Sequence, residues 1–406
     1  MERRVVITGL GIWSCLGTNL DEVRQSLYSG KSGIIFSQAR KDAGFRSALC
    51  ADVPKADLKK YLSRDLRKLM PEEAQYGYLA TIQAMEHAKL DQDFLDQNEV
   101  GVIYGNDSVA EATMQALDKF RQAGSTAACG SGAIFQSMNS TVTMNLATLL
   151  HLRGINLTAS AACASGSHSV GLGYLLIKDG LQDCIICGGA QEANMFSVAS
   201  FDGLMAFSTR EDEPTKASRP FDRDRDGLIP GGGAATLVLE SYEHAVKRGA
   251  PILAEIVGWG FSGNGDHIST PNVAGPTRSL ELCLKNGGIN PRDIGYINAH
   301  ATSTHAGDGR EALAIANIFG DYRVPVTSTK SQTGHEMWMA GASELIYSLL
   351  MMKNDFIAGS LNFENPDDDT ACINVIPETR EAHFDMFLSN SFGFGGTNSS
   401  LIIQNL

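Results

Sequence analysis

One stretch, Gly154 to Gly180 (GINLTASAACASGSHSVGLGYLLIKDG), limits the folds open to this chain. Ile155 to Thr158 reads as a short strand, and Gly166 to Lys178 as a helix whose Val170, Leu172, Tyr174, Leu175 and Ile177 are too apolar for a surface. Between them lies a turn of Ala and Ser residues with Cys163 at its centre, and Asp183 to Gly189 starts another apolar strand. Strand, helix and strand at this spacing make a parallel pair with a right-handed crossover. A cysteine at the strand-to-helix junction lies near the positive end of the helix dipole, among free N–H groups. That setting is expected to lower its pKa from ~8.5 toward neutrality and make it a nucleophile. A buried structural cysteine at a packed elbow fits the same letters.

The alternation continues on both sides. Strands are expected at Arg4–Thr8, 100–103, 235–239, 253–257, 295–298, 324–328, and in a closing pair around Phe387 and 400–404. Helices are expected at 20–29, 73–90, 138–152, 242–248, 278–286, 310–319 and 339–352, while 209–233 reads as a long irregular excursion. The pattern restarts near residue 250. The expected architecture is therefore α/β, with two similar halves, 1–250 and 251–406, sharing one site. A chain of 406 residues is too long for one ordinary core, and its 43% hydrophobic and 19% charged residues suit a soluble protein.

Several function classes are disfavoured. A formal charge of −13 argues against nucleic acid or an anionic membrane as partner. Eight scattered cysteines do not form a disulfide framework, and no apolar run reaches the ~18 residues of a spanning helix, so a cytoplasmic location is expected. Cys184 and Cys187 form a CxxC, yet strand alternation sends them to opposite faces, and no second ligand pair suggests zinc. Gly9-Leu10-Gly11 lacks the third glycine and the acidic residue of a dinucleotide fingerprint.

Three later loops carry polar groups at strand ends: 298–311 with His300, Thr302, Thr304 and Glu311; 328–335 with Lys330 and His335; and 390–398 with Phe392 and Phe394 among glycines. A lone histidine is more often a packing residue than a catalyst. Two in Thr/Ser/Gly-rich turns beside a cysteine elbow point to one shared site.

Taken with VVITGLGI at the N-terminus, the Cys163 stretch, KASRPFDRDRDG, HATSTHAGD, STKSQTGH and SNSFGFGGTN, the sequence resembles the β-ketoacyl-acyl-carrier-protein synthases, the elongating condensing enzymes of the thiolase-like superfamily, over essentially its whole length. The resemblance implies a thiolase-like fold with a five-layered αβαβα core, no metal or organic cofactor, a homodimer, and acyl carrier protein as partner. It implies that Cys163 holds the acyl chain and that the N–H groups of Cys163 and Phe394 form an oxyanion hole. His300 and His335 would hydrogen-bond the malonyl thioester carbonyl, while Lys330, paired with Glu311, holds the electrostatics. Thr302 and Thr304 would bind the phosphopantetheine arm, with Phe392 and Phe394 gating the acyl pocket and Phe201 and Ser108 lining it.

A thiolase would carry a second cysteine in the SFGFGGTN loop, a starter-type synthase an Asn at the His335 position, and a non-catalytic chain-length factor no Cys163. A heterodimer with a chain-length-factor homologue stays open. Arg64, Arg67 and Lys68, with Lys119 and Arg121, form the expected basic dock for an acidic carrier protein. Three departures bear on the acyl chain: a small Ser108, the polar Asp107 and Glu111, and Trp338 in Glu336-Met337-Trp338-Met339 where relatives carry small residues. They raise the expectation of a polyunsaturated or aryl-ended chain, as in pigment-type polyene pathways.

Overall fold

The computed structural model describes residues 3–406. Eleven strands form one continuous sheet: β1 (Val5–Trp13), β2 (Val100–Gly105), β3 (Asn156–Ala159), β4 (Cys184–Gln191), β5 (Gly233–Ser241), β6 (Ala254–Gly263), β7 (Tyr296–Asn298), β8 (Pro325–Thr327), β9 (Asn374–Val375), β10 (Met386–Gly393) and β11 (Thr397–Gln404). Their order is β9-β8-β7-β10-β11-β6-β1-β5-β4-β2-β3.

Read outward from the β1–β6 seam, the two halves repeat one pattern. In the first, β1 runs antiparallel to β5 and β5 to β4, after which β4, β2 and β3 are mutually parallel. In the second, β6 is antiparallel to β11 and β11 to β10, and then β10, β7 and β8 are parallel. The seam itself is short and antiparallel, from Val5↔Ile256 to Ile7↔Ala254. The two halves expected from alternation, though they do not repeat residue by residue, are explicit in the strand directions.

Helices α1 (Glu72–Ala88), α3 (Thr141–Leu149), α4 (Ser165–Lys178), α5 (Ala274–Gly287), α6 (His305–Phe319) and α7 (Ala340–Lys353) layer on this sheet, whereas α2 (Glu111–Ala123) buries none of its residues and stands off it. Helices α1 and α3 cover the outer face of the first half, and α5 and α6 that of the second; α4 and α7 lie between the halves, each touching strands of both. Three apolar layers result, one outside each half and one around the inner helices, which gives the five-layered arrangement. Strand alternation acts as expected at the CxxC: Cys184 packs in the outer layer and Cys187 in the inner one.

The inner helices place the chemistry. Both have 14 residues, and each starts with a small residue followed by glycine, Gly166 in α4 and Gly341 in α7. A Cβ on Gly166 would lie 2.9 Å from the backbone N of Ala342, and one on Gly341 would collide with the backbone of Ser167. The two N-termini therefore cross almost in contact, which brings Cys163 beside the turn that follows His335. Gly341→Ala is expected to push them apart at a cost of about 1–3 kcal/mol, read as a lower denaturation midpoint.

Helix α6 starts at His305, five residues earlier than its apolar spacing indicates, because Thr304 caps it and accepts from the N–H of Gly307 at 3.3 Å. The excursion 209–233 is irregular but not loose. Its Arg225 is 1% exposed and donates to Asp367 Oδ2 at 2.6 Å and to the carbonyls of Thr304 and His305 at 3.1 and 3.0 Å. It thus fixes the start of α6.

Candidate active site

Cys163 sits in a short turn (Ala162–Ala164) between β3 and α4 and is 6% exposed. Ala162 before it has φ +45°, the left-handed region that a residue with a Cβ enters only under constraint from its neighbours. This elbow turns Cys163 into a cavity of about 390 Å³ lined also by Phe201, His300, Thr302, Thr304, His335, Phe392 and Phe394. One space thus gathers the cysteine, both histidines, both threonines and the three phenylalanines.

The thiol's ionisation corrects the sequence expectation. Burial pushes Cys163 up to about 12, while the Lys330 ammonium and the N–H groups of Cys163 and Phe394 pull the other way, and Asp107 adds a smaller upward push. Desolvation outweighs the helix terminus, so the resting group is a thiol.

The histidine rings meet edge to face, 5.3 Å between centroids. His335 is 2% exposed, and its Nδ1 accepts from the N–H of Met337 at 3.3 Å, which leaves the proton on Nε2. That Nε2 has no protein partner, nor does His300 Nδ1. Burial, reinforced by Lys330, holds both rings well below the usual histidine range, so they act as neutral groups at physiological pH. The arrangement leaves buried ring nitrogens without protein partners beside the cavity.

The expected Lys330–Glu311 pair is not formed. Lys330, 1% exposed, bonds instead to Glu344 of α7. Glu311 holds the His300 loop: Oε1 accepts from the N–H of His300 at 2.9 Å and Asn390 Nδ2 at 3.0 Å, and Oε2 from the N–H of Ala301 at 2.7 Å. The physical reason is reach. Glu311 lies nearly two helical turns into α6, where its carboxylate meets the backbone of 300–301, whereas α7 runs past Lys330 through the core. Glu344 and Asn390 were missed from sequence, although a lone acid in the otherwise uncharged run Ala340–Met352 was a usable signal. A third carboxylate, Glu336, accepts from Ser343 Oγ at 2.5 Å and Tyr347 Oη at 2.8 Å. Burial raises Glu311 and Glu336 to about 7 and Glu344 to about 8, with Lys330 opposing the shift in each.

Thr302 and Thr304 face each other across 3.1 Å, so Thr304 combines its capping duty with a place on the cavity wall. Phe392 lies 5.8 Å from His300, and Phe394, 40% exposed, stacks on Phe201 at 6.0 Å. Gly395 and Gly396 next to it have φ of +78° and +74°, so this loop needs glycine there. Ser108 is exposed on the loop after β2 and does not border the cavity. Arg64 and Lys68 are exposed and Arg67 half-buried, and all three edge one shallow groove with Lys55 and Lys59; Lys119 and Arg121 are exposed on α2 and do not line that groove. Among the described residues, no group of three or more His, Cys, Asp or Glu could hold a metal, and no helix is long and apolar enough to cross a membrane.

A cysteine and two neutral histidines in one cavity between the halves of a duplicated five-layered α/β fold define a condensing enzyme of the thiolase-like class. Residues 2–245 match the family "Beta-ketoacyl synthase, N-terminal domain" and residues 253–364 the family "Beta-ketoacyl synthase, C-terminal domain". The chain belongs to the β-ketoacyl synthases and is an enzyme of acyltransferase type. It is 41% identical to 3-oxoacyl-[acyl-carrier-protein] synthase 1 of Haemophilus influenzae and 39% identical to that of Escherichia coli K12, covering 99% or more of each chain. A β-ketoacyl synthase crystal structure from Burkholderia phymatum superposes with a TM-score of 0.95 at 37% identity, covering 100% of both chains.

Proposed function

We propose that this protein elongates acyl chains on acyl carrier protein by decarboxylative condensation, in fatty-acid synthesis rather than a specialised polyene pathway, without metal or organic cofactor. The observation that carries the reading is the single cavity that Cys163, His300 and His335 line together. The Cys163 sulfur attacks the acyl thioester, its proton leaves with the carrier's phosphopantetheine thiol, and the N–H groups of Cys163 and Phe394 stabilise the oxyanion. Malonyl thioester then enters past Thr302 and Thr304. Its carbonyl oxygen meets the histidine rings, loss of CO2 leaves an enolate, and His335 Nε2–H donates to the developing charge. The enolate carbon attacks the acyl-Cys163 carbonyl, the thioester bond to Cys163 breaks, and one proton restores the thiol.

Intact-protein mass after mixing with acyl-carrier protein tests this. A single acyl adduct on the Cys163 peptide, discharged by malonyl-carrier protein with release of CO2 and a 3-oxoacyl product, is expected. No adduct from any acyl chain defeats the reading.

Two features support the partners. The basic groove of Arg64, Arg67 and Lys68 suits an acidic carrier; the double charge reversal Arg64→Glu/Arg67→Glu is expected to raise KM for acyl-carrier protein about tenfold and leave acyl-pantetheine turnover unchanged. Strand β3 is an unpaired sheet edge whose Leu157 is 42% exposed, near an exposed apolar set on 114–138 that includes Leu117, Ile134, Phe135 and Met138. Such an edge and patch suit a second copy of the chain. Light scattering is expected to give twice the monomer mass; a monomer that becomes active only with a homologous subunit would show a heterodimer instead.

A further inference from the structure

The residues after His335 are wedged. Met337 has φ +47°, and Met337–Met339 make one tight turn whose backbone presses on two glycines: the carbonyl oxygen of Trp338 lies 3.0 Å from where a Gly166 Cβ would be, and 2.6 Å from that of Gly189. With helix α4 and strand β4 behind it, the Trp338 side chain can only go forward. There it joins a buried apolar cluster with Cys163, Val198, Phe207, Leu228 and Met337. The indole is 6% exposed and lies 6.3 Å from the ring of Phe201, which also stacks on Phe207 at 6.4 Å and on Phe394 at 6.0 Å. Phe201 borders the cavity that holds Cys163, so Trp338 forms the rigid backing of that wall. Its Nε1–H has no partner, so packing alone fixes the ring.

We propose that Trp338 is a specificity-determining residue that limits the length of the acyl chain Cys163 can carry. The inference rests on the synthase reading above. An acyl chain that extends from Cys163 past Phe201 presses toward the buried Phe207 and Trp338, where the indole fills the space behind the Phe201 ring. A smaller residue at 338 opens a recess lined by Val198, Phe207 and Leu228, apolar walls that suit additional methylene groups.

The test measures the loading rate of Cys163 on the full-length protein by intact mass, with saturated acyl-carrier thioesters from butyryl to palmitoyl, for wild type, Trp338→Phe and Trp338→Gly. The wild type is expected to lose at least tenfold in rate beyond a cut-off length. Both variants are expected to move that cut-off at least two carbons longer, Trp338→Gly further than Trp338→Phe, with butyryl loading unchanged. The same cut-off in all three proteins, or a uniform slowing at every length, overturns the proposal while leaving the synthase reading intact. If Trp338→Gly does not fold, Trp338→Phe decides alone. No Cys163 adduct in the wild type from any chain overturns the synthase reading and this inference with it.

Discussion

Cys163→Ala is expected to abolish condensation, with a loss of roughly 10⁴-fold or more, while malonyl thioester is still decarboxylated. The reasoning follows the division of labour in the cavity. Only Cys163 can hold the acyl group, so no other residue substitutes for it. The groups that stabilise the enolate are different ones: His335 with its proton fixed on Nε2 by Met337, and His300 held in place by Glu311. None of them depends on the Cys163 sulfur. Release of CO2 measured beside 3-oxoacyl formation checks this. Loss of both activities together would show that the histidine pair is positioned through Cys163.

Lys330→Met is expected to cost about 3–5 kcal/mol of stability, because it leaves carboxylates buried without their cation. Lys330 opposes the upward shift of Glu311, Glu336 and Glu344, and it also lowers both histidines. Without it the three acids retain their protons to higher pH, and His300 and His335 move up toward the ordinary range. Denaturant unfolding reads the first effect and a histidine titration the second. A variant of wild-type stability with unmoved histidines would refute this account.

The same acids set a pH dependence in the intact protein. Their folded pKa values, about 7, 7 and 8, exceed the ordinary carboxylate value, so the folded state holds protons that the unfolded chain releases. Stability from this source is fully present below about pH 4.3 and is lost as pH rises toward 7–8. Glu240, held at about 2 by Arg248, His244 and Thr8, acts oppositely, but its window lies below the ordinary carboxylate value and does not overlap. His300, His335 and His168, all held below the ordinary histidine value, oppose this up to about pH 6.5, so unfolding free energy is expected to fall chiefly between about pH 6.5 and 8, and the Glu336→Gln protein to show a shallower fall.

What the sequence made legible follows from where each residue sits. Cys163, His300 and His335 stand at strand ends among small residues, so local letters report them. The duplicated α/β plan was legible from alternation. The partner of Lys330 was not, because it depends on how α7 crosses the core, a property of tertiary packing. The thiol's pKa was misread for a related reason: a helix terminus is visible in a sequence, whereas depth of burial is not. Ser108 failed as a cavity residue because the loop after β2 turns outward. The early start of α6 was hidden because Thr304 reads first as a turn residue and only its bond to Gly307 shows it to be a cap.

The short seam between β1 and β6 has a consequence for how activity is acquired. Among the described residues three pairs join the two repeats along the sheet, yet the nucleophile belongs to one repeat and both histidines to the other. Turnover is therefore a report on assembly. If the backbone is cut between 241 and 254 and the two pieces are produced together, neither fragment should catalyse anything, and any regained condensation would count the molecules in which the repeats have found each other.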